Sequence, residues 1–323
     1  MSPPTTPAPS PLNPGGTPNA PPPRAPQAPE PTPQIEPDDP DAPKGFFVVV
    51  AGPPKYGKTT FASGAPRPRF VLADRNGLAR LPRSIARDSV ASWTDVINAL
   101  TRLRDGKHSH GAVILDTIFK AESLLIKHLC EKDGKASLRQ VGGGYGAGYE
   151  QLASEINRIV DIFFSLNDRG IHTLAISQIE AKTVKDPTLD DYERTALAVS
   201  KQTALIWSAA ADVNMYVQPE IVERDRIDGG KDKEDRVKVD FTGKAICHVR
   251  PAAGIEAGNR LFLDSPITYS WAALEIGAAE GANISDKLFA KLGTLSGVDR
   301  AAADWRLNQA GWSRKAAEFE INK

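Results

Sequence analysis

The sequence predicts an α/β fold in which a mostly parallel β-sheet is flanked by helices. Short apolar runs rich in β-branched residues alternate with longer segments whose apolar residues recur at helical spacing. The apolar runs are continuous, as expected of strands that are buried on both faces of a parallel sheet. The part of the chain after residue 212 is richer in strands and is typical of antiparallel pairing. We therefore expect antiparallel strands at the C-terminal edge of the sheet.

Composition divides the chain into three predicted parts. Residues 1–44 hold 17 of the 26 prolines, and such a segment cannot bury enough apolar surface to offset its ordering entropy. We expect a disordered tail that serves either as a tether or docking segment for a protein partner or as a passive solubilising segment. Residues 45–275 are the predicted α/β domain, and residues 276–323 are the predicted C-terminal helical segment.

The predicted elements follow in a regular order. The strands cover residues 46–50, 70–73, 112–116, 171–176, 213–217, 237–239 and 245–249. The helices cover a short segment from residue 60, then residues 92–103, 118–130, 149–166 and 204–210, and small helices within 285–323. Residues 131–148 and 179–201 are predicted loops. The helix over 92–103, for example, is predicted because its apolar residues share one face at helical spacing: Trp93, Val96, Ile97 and Leu100.

Charge and cysteine content exclude some classes of partner. Lysine plus arginine and aspartate plus glutamate number 40 each, so any contact with nucleic acid would have to be local. We expect no membrane contact, because no apolar run reaches the roughly 20 residues that a spanning helix needs. Cys130 and Cys247 lie far apart and form no ligand pattern, which predicts reduced thiols in a cytoplasmic protein.

The segment with the most specific chemistry directly follows the first strand and reads G-x-x-x-x-G-K-T over residues 52–59. Its glycines let backbone N–H groups turn inward towards phosphate oxygens, Lys58 would contact the β- and γ-phosphates, and Thr59 would bind Mg²⁺. Lys55 either touches phosphate or stays solvated. The predicted phosphate-binding residues are Gly52, Pro53, Pro54, Lys55, Tyr56, Gly57, Lys58, Thr59 and Thr60.

Two further polar residues close predicted strands. Asp116 ends an apolar strand, and its carboxylate would hold Mg²⁺ together with Thr59, or else cap the next helix. Gln178 follows the strand over 171–176. Because ligands bind at the carboxyl ends of parallel strands, Gln178 is predicted to sense the γ-phosphate, the alternative being an ordinary polar loop residue.

In the order of these segments the chain resembles the RecA-like P-loop ATPases, most closely the phage-encoded proteins linked to single-strand annealing and recombination. The resemblance covers roughly residues 45–275. It rests on the glycine-rich turn, the strand ending at Asp116, G-Y-G-A-G-Y at 144–149, I-S-Q at 176–178, A-A-D-V at 210–213 and A-G-N-R at 257–260. It implies a RecA-like core, ATP and Mg²⁺ as cofactors, a homo-oligomer, and the cytoplasm of a bacterial host if the chain is phage-encoded.

The resemblance also implies that the two predicted loops face single-stranded DNA. Cations and exposed aromatic rings suit a single strand through phosphate contacts and base stacking. The acidic residues of the second loop equally suit a solvated surface. The candidate DNA contacts are Lys132, Lys135, Arg139 and Tyr145 in the first loop, and Lys182, Lys185, Tyr192, Arg194 and Lys201 in the second.

Hydrolysis is left open by two departures from the family pattern. Arg75 stands where the catalytic glutamate of the family aligns. Asp74, one residue earlier, could substitute for it, or the site could hydrolyse ATP slowly or not at all. Arg260 retains one cation of the family's trans-acting element and could reach the γ-phosphate of a neighbouring subunit. The predicted catalytic set is Lys58, Asp74, Asp116, Gln178 and Arg260.

The sequence is compatible with two functions. The first is an ATPase that binds single-stranded DNA in a nucleotide-dependent way during recombination or annealing. The second is a nucleotide-binding regulatory or assembly protein with weak or no hydrolysis and no DNA role. The neutral net charge and Arg75 favour the second, whereas the order of the segments favours the first.

Overall fold

The computed structural model describes residues 44–74, 82–185, 191–227, 236–252 and 254–323. The predicted tail, apart from Lys44, lies outside the described residues, as does Arg75. Within the described residues, no helix is long and apolar enough to cross a membrane.

Ten strands are formed by the described residues. They are β1 (Phe47–Ala51), β2 (Pro68–Leu72), β3 (Ala86–Ser89), β4 (Ala112–Asp116), β5 (His172–Ser177), β6 (Ile179–Val184), β7 (Tyr192–Leu197), β8 (Val213–Ile227), β9 (Arg236–His248) and β10 (Gly258–Asn259).

Eight α-helices accompany these strands in the same part of the chain. They are α1 (Lys58–Ser63), α2 (Trp93–Asp105), α3 (Ile118–Asp133), α4 (Ala147–Asn167), α5 (Lys201–Ala210), α6 (Trp271–Thr294), α7 (Gly297–Gln309) and α8 (Arg314–Asn322). A 3-10 helix over Leu138–Gly143 lies between α3 and α4.

The main sheet has the order β10-β8-β1-β5-β4-β2-β3, with β9 also paired to β8. The strands from β8 to β3 in this order run parallel, while β9 and β10 are antiparallel to β8. The predicted fold class is therefore confirmed. In this order β5 lies between β1, which precedes the glycine-rich turn, and β4, which ends at Asp116. The strands β1 and β4 are therefore not neighbours.

The two faces of the sheet build two separate cores, which explains why the strands read as continuous apolar runs. Side chains of β1 alternate between the faces: Phe47 and Val49 join a core that is covered by α2 to α5. Val48 and Val50 join the second core, which includes residues of α1 and the first turns of α6. Since both faces are covered, every position of β1 is buried and apolar.

The predicted loop over residues 179–201 is wrong for most of its length. β6 and β7 form a separate two-stranded antiparallel sheet in which Ile179 pairs with Leu197 and Lys182 with Arg194. Half of the side chains of these two strands are exposed, and their sequence shows no apolar run from which a strand could be predicted. The first predicted loop, over 131–148, also contains structure, because α3 continues to Asp133 and the 3-10 helix follows.

Helix α6 is continuous through residue 275, where the α/β domain was predicted to end. Its residues Trp271 and Leu274 belong to the second core of the sheet. Further along, Leu288 and Leu292 form a third core with residues of α7 and α8. The helix thus joins the sheet to the last two helices.

Close packing of α6 on the sheet domain leads to a stability prediction. A Cβ atom added at Gly281 would lie 1.7 Å from the backbone oxygen of Leu261, whereas one added at Gly293 of the same helix would meet nothing within 4 Å. Gly281→Ala is expected to lower the free energy of unfolding by about 1–3 kcal/mol because the backbones must separate. Urea denaturation monitored by circular dichroism measures this.

The matched control for this prediction is Gly293→Ala. It is expected to raise stability by up to about 1 kcal/mol, because alanine is the better helix former and the position is open. Equal stabilities of the two variants would contradict the close contact between α6 and Leu261.

Candidate functional site

The glycine-rich turn connects β1 to α1 with backbone geometry that requires glycine at two positions. A Cβ atom at Gly52 would lie 2.6 Å from the backbone oxygen of Val217 in β8, so a larger residue does not fit. Gly57 has φ 72° and directly precedes α1, a conformation that costs a non-glycine residue energy. The turn therefore wraps closely around the carboxyl end of β1, as the motif predicts.

Lys58 folds back over this turn. Its Nζ donates hydrogen bonds to the backbone oxygens of Gly52, at 2.8 Å, and Pro53, at 2.6 Å. Burial lowers the pKa of Lys58 to about 8, against the opposing effect of the Asp116 charge. The ammonium group is held by neutral carbonyl groups, and a phosphate oxygen would be a stronger, charge-assisted acceptor.

Thr59 and Asp116 lie side by side, as predicted for a pair of Mg²⁺ ligands. Thr59 Oγ1 donates a hydrogen bond of 2.8 Å to Asp116 Oδ2. Mg²⁺ takes oxygen ligands from carboxylates and hydroxyls, and the two oxygens here are within the reach of one ion. The donor set therefore fits Mg²⁺, which would neutralise phosphate charge when bound.

The charge state of Asp116 depends on its surroundings. Burial raises the pKa of Asp116 to about 6, the Thr59 hydrogen bond lowers it, the Asp74 charge raises it and the Lys58 charge lowers it. A carboxylate that is costly to ionise when buried is stabilised by a cation such as Mg²⁺. A bound Mg²⁺ ion would therefore favour the ionised form of Asp116.

Asp74 joins this site through the backbone. The amides of Ala73 and Asp74 donate to the backbone oxygen of Asp116, at 2.8 and 3.2 Å. The carboxyl ends of β2 and β4 are thereby tied together. Asp74 is accordingly close to the predicted magnesium ligands, and its role as a substitute base stays a prediction.

Gln178 lies between the glycine-rich turn and Asp116. In the sheet, Ser177 pairs with Ala51 of β1 and Ile176 pairs with Asp116 of β4. Gln178 is half-buried and is the next residue of the chain. Its backbone oxygen accepts a hydrogen bond of 3.0 Å from the amide of Ala198, which follows β7. Gln178 thus follows the strand between β1 and β4 and is hydrogen-bonded to the end of the β6–β7 hairpin.

Arg260 is not brought to this site within one chain. Its amide donates to the backbone oxygen of Asp212 at 2.9 Å, and its guanidinium lies 3.9 Å from the Asp212 carboxylate. That carboxylate also accepts from the amide of Phe47, the first residue of β1. Arg260 thus lies at the end of the sheet where the parallel strands begin, whereas the glycine-rich turn lies at the carboxyl end of β1. Its side chain is 61% exposed, and its action on a neighbouring subunit remains a prediction.

The other predicted phosphate-binding positions lie on the surface of the turn. Pro54, Lys55 and Thr60 are exposed, and Pro53 and Tyr56 are half-buried. Sequence reasoning missed Lys244 and Tyr269, which share a cavity with Lys55 and Tyr56. No local signal could have indicated them, because they come from a hairpin and a loop far along the chain.

This fold, with a glycine-rich turn, a buried lysine and a threonine–aspartate pair at one sheet edge, defines a P-loop NTPase. A family model described as AAA domain matches residues 44–261, which is more than half of the chain. The chain belongs to this family. P-loop domains of this kind bind nucleotides and generally use ATP with Mg²⁺.

Comparison with solved structures and curated proteins adds two findings. A structure described as a prototypical ATPase from the type III secretion system of pathogenic bacteria is 14% identical, with a TM-score of 0.33. The match covers 54% of this chain and 52% of the other, so the chain spans about half the length of that protein. No curated protein matches the sequence.

Proposed function

We propose that the protein binds Mg²⁺–ATP at residues 52–60 and binds single-stranded DNA in a nucleotide-dependent way. The observation that carries the proposal is the position of Gln178. This residue lies between the P-loop and Asp116, and the β6–β7 hairpin begins at the next residue. A contact between Gln178 and the γ-phosphate would therefore act directly on the base of the hairpin.

The hairpin register brings three of the candidate DNA contacts, Lys182, Tyr192 and Arg194, to one face. Lys182 pairs directly with Arg194, and Val184 pairs with Tyr192. Directly paired residues of antiparallel strands have side chains on the same face. Two cations and an aromatic ring next to one another suit a single strand, because cations contact phosphates and rings stack on bases.

The segment before α4 adds an exposed aromatic ring. Tyr145 is fully exposed and has φ 51°, between Gly144 and Gly146, which also have positive φ. A nucleic-acid base could stack on this exposed ring. Tyr145 is therefore part of the proposed DNA surface.

The proposed biological role is recombination or single-strand annealing by a phage-type RecA-like protein. In a homo-oligomer, the exposed Arg260 at the amino-terminal edge of one sheet would meet the nucleotide at the carboxyl-terminal edge of the next. Asp74 would orient the attacking water if ATP is hydrolysed.

A regulatory or assembly role without DNA is the second candidate, and ion pairs in the hairpin favour it. Lys182 Nζ lies 2.8 Å from a carboxylate oxygen of Glu180, and Arg194 lies 3.5 Å from that of Glu256. Cations that already have acidic partners are less available to phosphates. DNA binding would have to replace these partners.

A DNA-binding experiment separates the two candidates. Fluorescence anisotropy with labelled oligo(dT), at several salt concentrations, is expected to show tighter binding with ATP and Mg²⁺ than without. The double variant Lys182→Gln, Arg194→Gln is expected to weaken DNA binding about 10-fold. The number of phosphate contacts derived from the salt dependence is expected to fall by about one to two, roughly one for each cation removed.

The control is the double variant Lys287→Gln, Arg158→Gln, which removes the same charges from α6 and α4. Its DNA affinity is expected to match that of the original chain at every salt concentration. If nucleotide does not change DNA binding and the hairpin variant behaves like the control, the regulatory candidate is favoured instead.

A further inference from the structure

A cavity of about 590 Å³ lies beside the P-loop and shares Lys55, Tyr56 and Gly57 with it. Its opposite wall comes from residues 243–245 of β9 and from residues 269–271 before and at the start of α6. Pockets for small ligands commonly have volumes of about 300–1,000 Å³. The residues at 269–271 lie beyond the part of the chain that the family model covers.

The residues that line the cavity suit an anion that carries an aromatic ring. The described residues that line the cavity include Lys55 and Lys244 but no carboxylate. They also include the rings of Tyr56, Tyr269 and Trp271. In a chain of zero net charge, a local excess of cations favours anions at this surface. Aromatic rings favour flat ligands that can stack on them or contact their edges.

The wall is held at a defined distance from the P-loop. Ala245 pairs with Pro219 of β8, and Tyr216 of the same strand pairs with Ala51, the last residue of β1. The ring of Tyr269 stacks on Phe61 of α1 with centroids 5.0 Å apart and parallel planes. A Cβ atom at Gly57 would lie 3.8 Å from Tyr269 Cε1. The ring of Tyr269 therefore lies next to the backbone of the P-loop.

We propose that the cavity binds the nucleoside half of the nucleotide whose phosphates occupy the P-loop, with Tyr269 and Lys244 as affinity-determining residues. The inference rests on the proposed nucleotide binding. Continuity with the P-loop identifies the occupant, since a nucleoside triphosphate is an anion that carries an aromatic base. The β8–β9 hairpin and the entry to α6 are then part of the nucleotide site.

The test compares ATP with inorganic tripolyphosphate, which lacks the nucleoside, by isothermal titration calorimetry. Tyr269→Leu is expected to weaken ATP binding about 10-fold, the scale of one lost base–aromatic contact, and to change tripolyphosphate binding less than 2-fold. Lys244→Gln is expected to weaken ATP binding about 3-fold or more. Lys287→Gln, an exposed lysine of α6, serves as the unchanged control.

A second measurement does not depend on the folding of a variant. The unmodified chain is photolysed with 8-azido-ATP, and the labelled peptides are identified by mass spectrometry. Labels on the peptides that contain Tyr56, Lys244 or Tyr269 would support the inference. Labels elsewhere, or equal affinities of the unmodified chain for ATP and tripolyphosphate, would overturn it. Failure to bind either ligand would overturn the proposed nucleotide binding itself.

Discussion

Replacing Lys58 by alanine is expected to reduce the affinity for ATP by about 100-fold or more, measured by calorimetry. The buried ammonium group has two neutral carbonyl partners in the structure and no carboxylate within ion-pair distance among the described residues. Phosphate would supply the missing negative charge. Loss of one partner of a buried charge pair costs about 2–5 kcal/mol, which corresponds to roughly 30- to 5,000-fold in affinity.

The control for Lys58→Ala is Lys287→Ala, which removes an exposed lysine of α6 and is expected to leave ATP affinity unchanged. Circular dichroism must show that the Lys58 variant is folded, since the carbonyls of Gly52 and Pro53 lose their donor. A folded variant that binds ATP as tightly as the original chain would falsify the phosphate role of Lys58.

Asp116→Asn is expected to remove the gain in ATP affinity that Mg²⁺ provides, a loss of about 10- to 100-fold in the presence of the ion. Asparagine can still accept the hydrogen bond from Thr59, but it lacks the charge that binds the metal. Without Mg²⁺ the variant and the original chain are expected to bind ATP equally. Asp286→Asn, an exposed position of α6, is the matched control.

The pH dependence gives a second measurement of the same residue. The pKa of Asp116 is raised to about 6 by burial, so the carboxylate is protonated below that pH and Mg²⁺ affinity falls about tenfold per unit. A raised carboxyl pKa makes the metal-free folded state more stable as pH falls from 6 towards 3.8 and less stable as pH rises through 6. Asp116→Asn is therefore expected to keep or gain thermal stability at pH 7.

Above neutral pH the limiting group is Lys58. Burial lowers the pKa of Lys58 to about 8, so the ammonium group that would contact phosphate is lost as pH rises further. Mg²⁺–ATP affinity is expected to be greatest between about pH 6 and pH 8. The acid limb of this profile should become weaker in Asp116→Asn, leaving the part caused by protonation of the γ-phosphate, while the alkaline limb remains. An unchanged acid limb would show that another group controls Mg²⁺ binding.

Local patterns predicted the parts of the site that lie next to strands in the sequence. The P-loop follows β1 directly and Asp116 ends β4, and both were found from an apolar run joined to a short polar motif. The pairing of Thr59 with Asp116 also followed, because the carboxyl ends of parallel strands share one edge. The strands β6 and β7 were missed because half of their side chains are exposed and they contain no apolar run.

Sequence patterns are sufficient to predict the P-loop, its lysine and threonine, the carboxylate of Asp116 and the α/β class of the fold. These features depend on periodicity and on spacing over a few residues, which are local properties of the chain. The folded structure is needed to see that β5 places Gln178 between the P-loop and Asp116, that Arg260 lies at the opposite end of the strands, and that Lys244 and Tyr269 line the cavity beside the P-loop. Strand order and packing arise from contacts between residues far apart in sequence, so no local pattern specifies them.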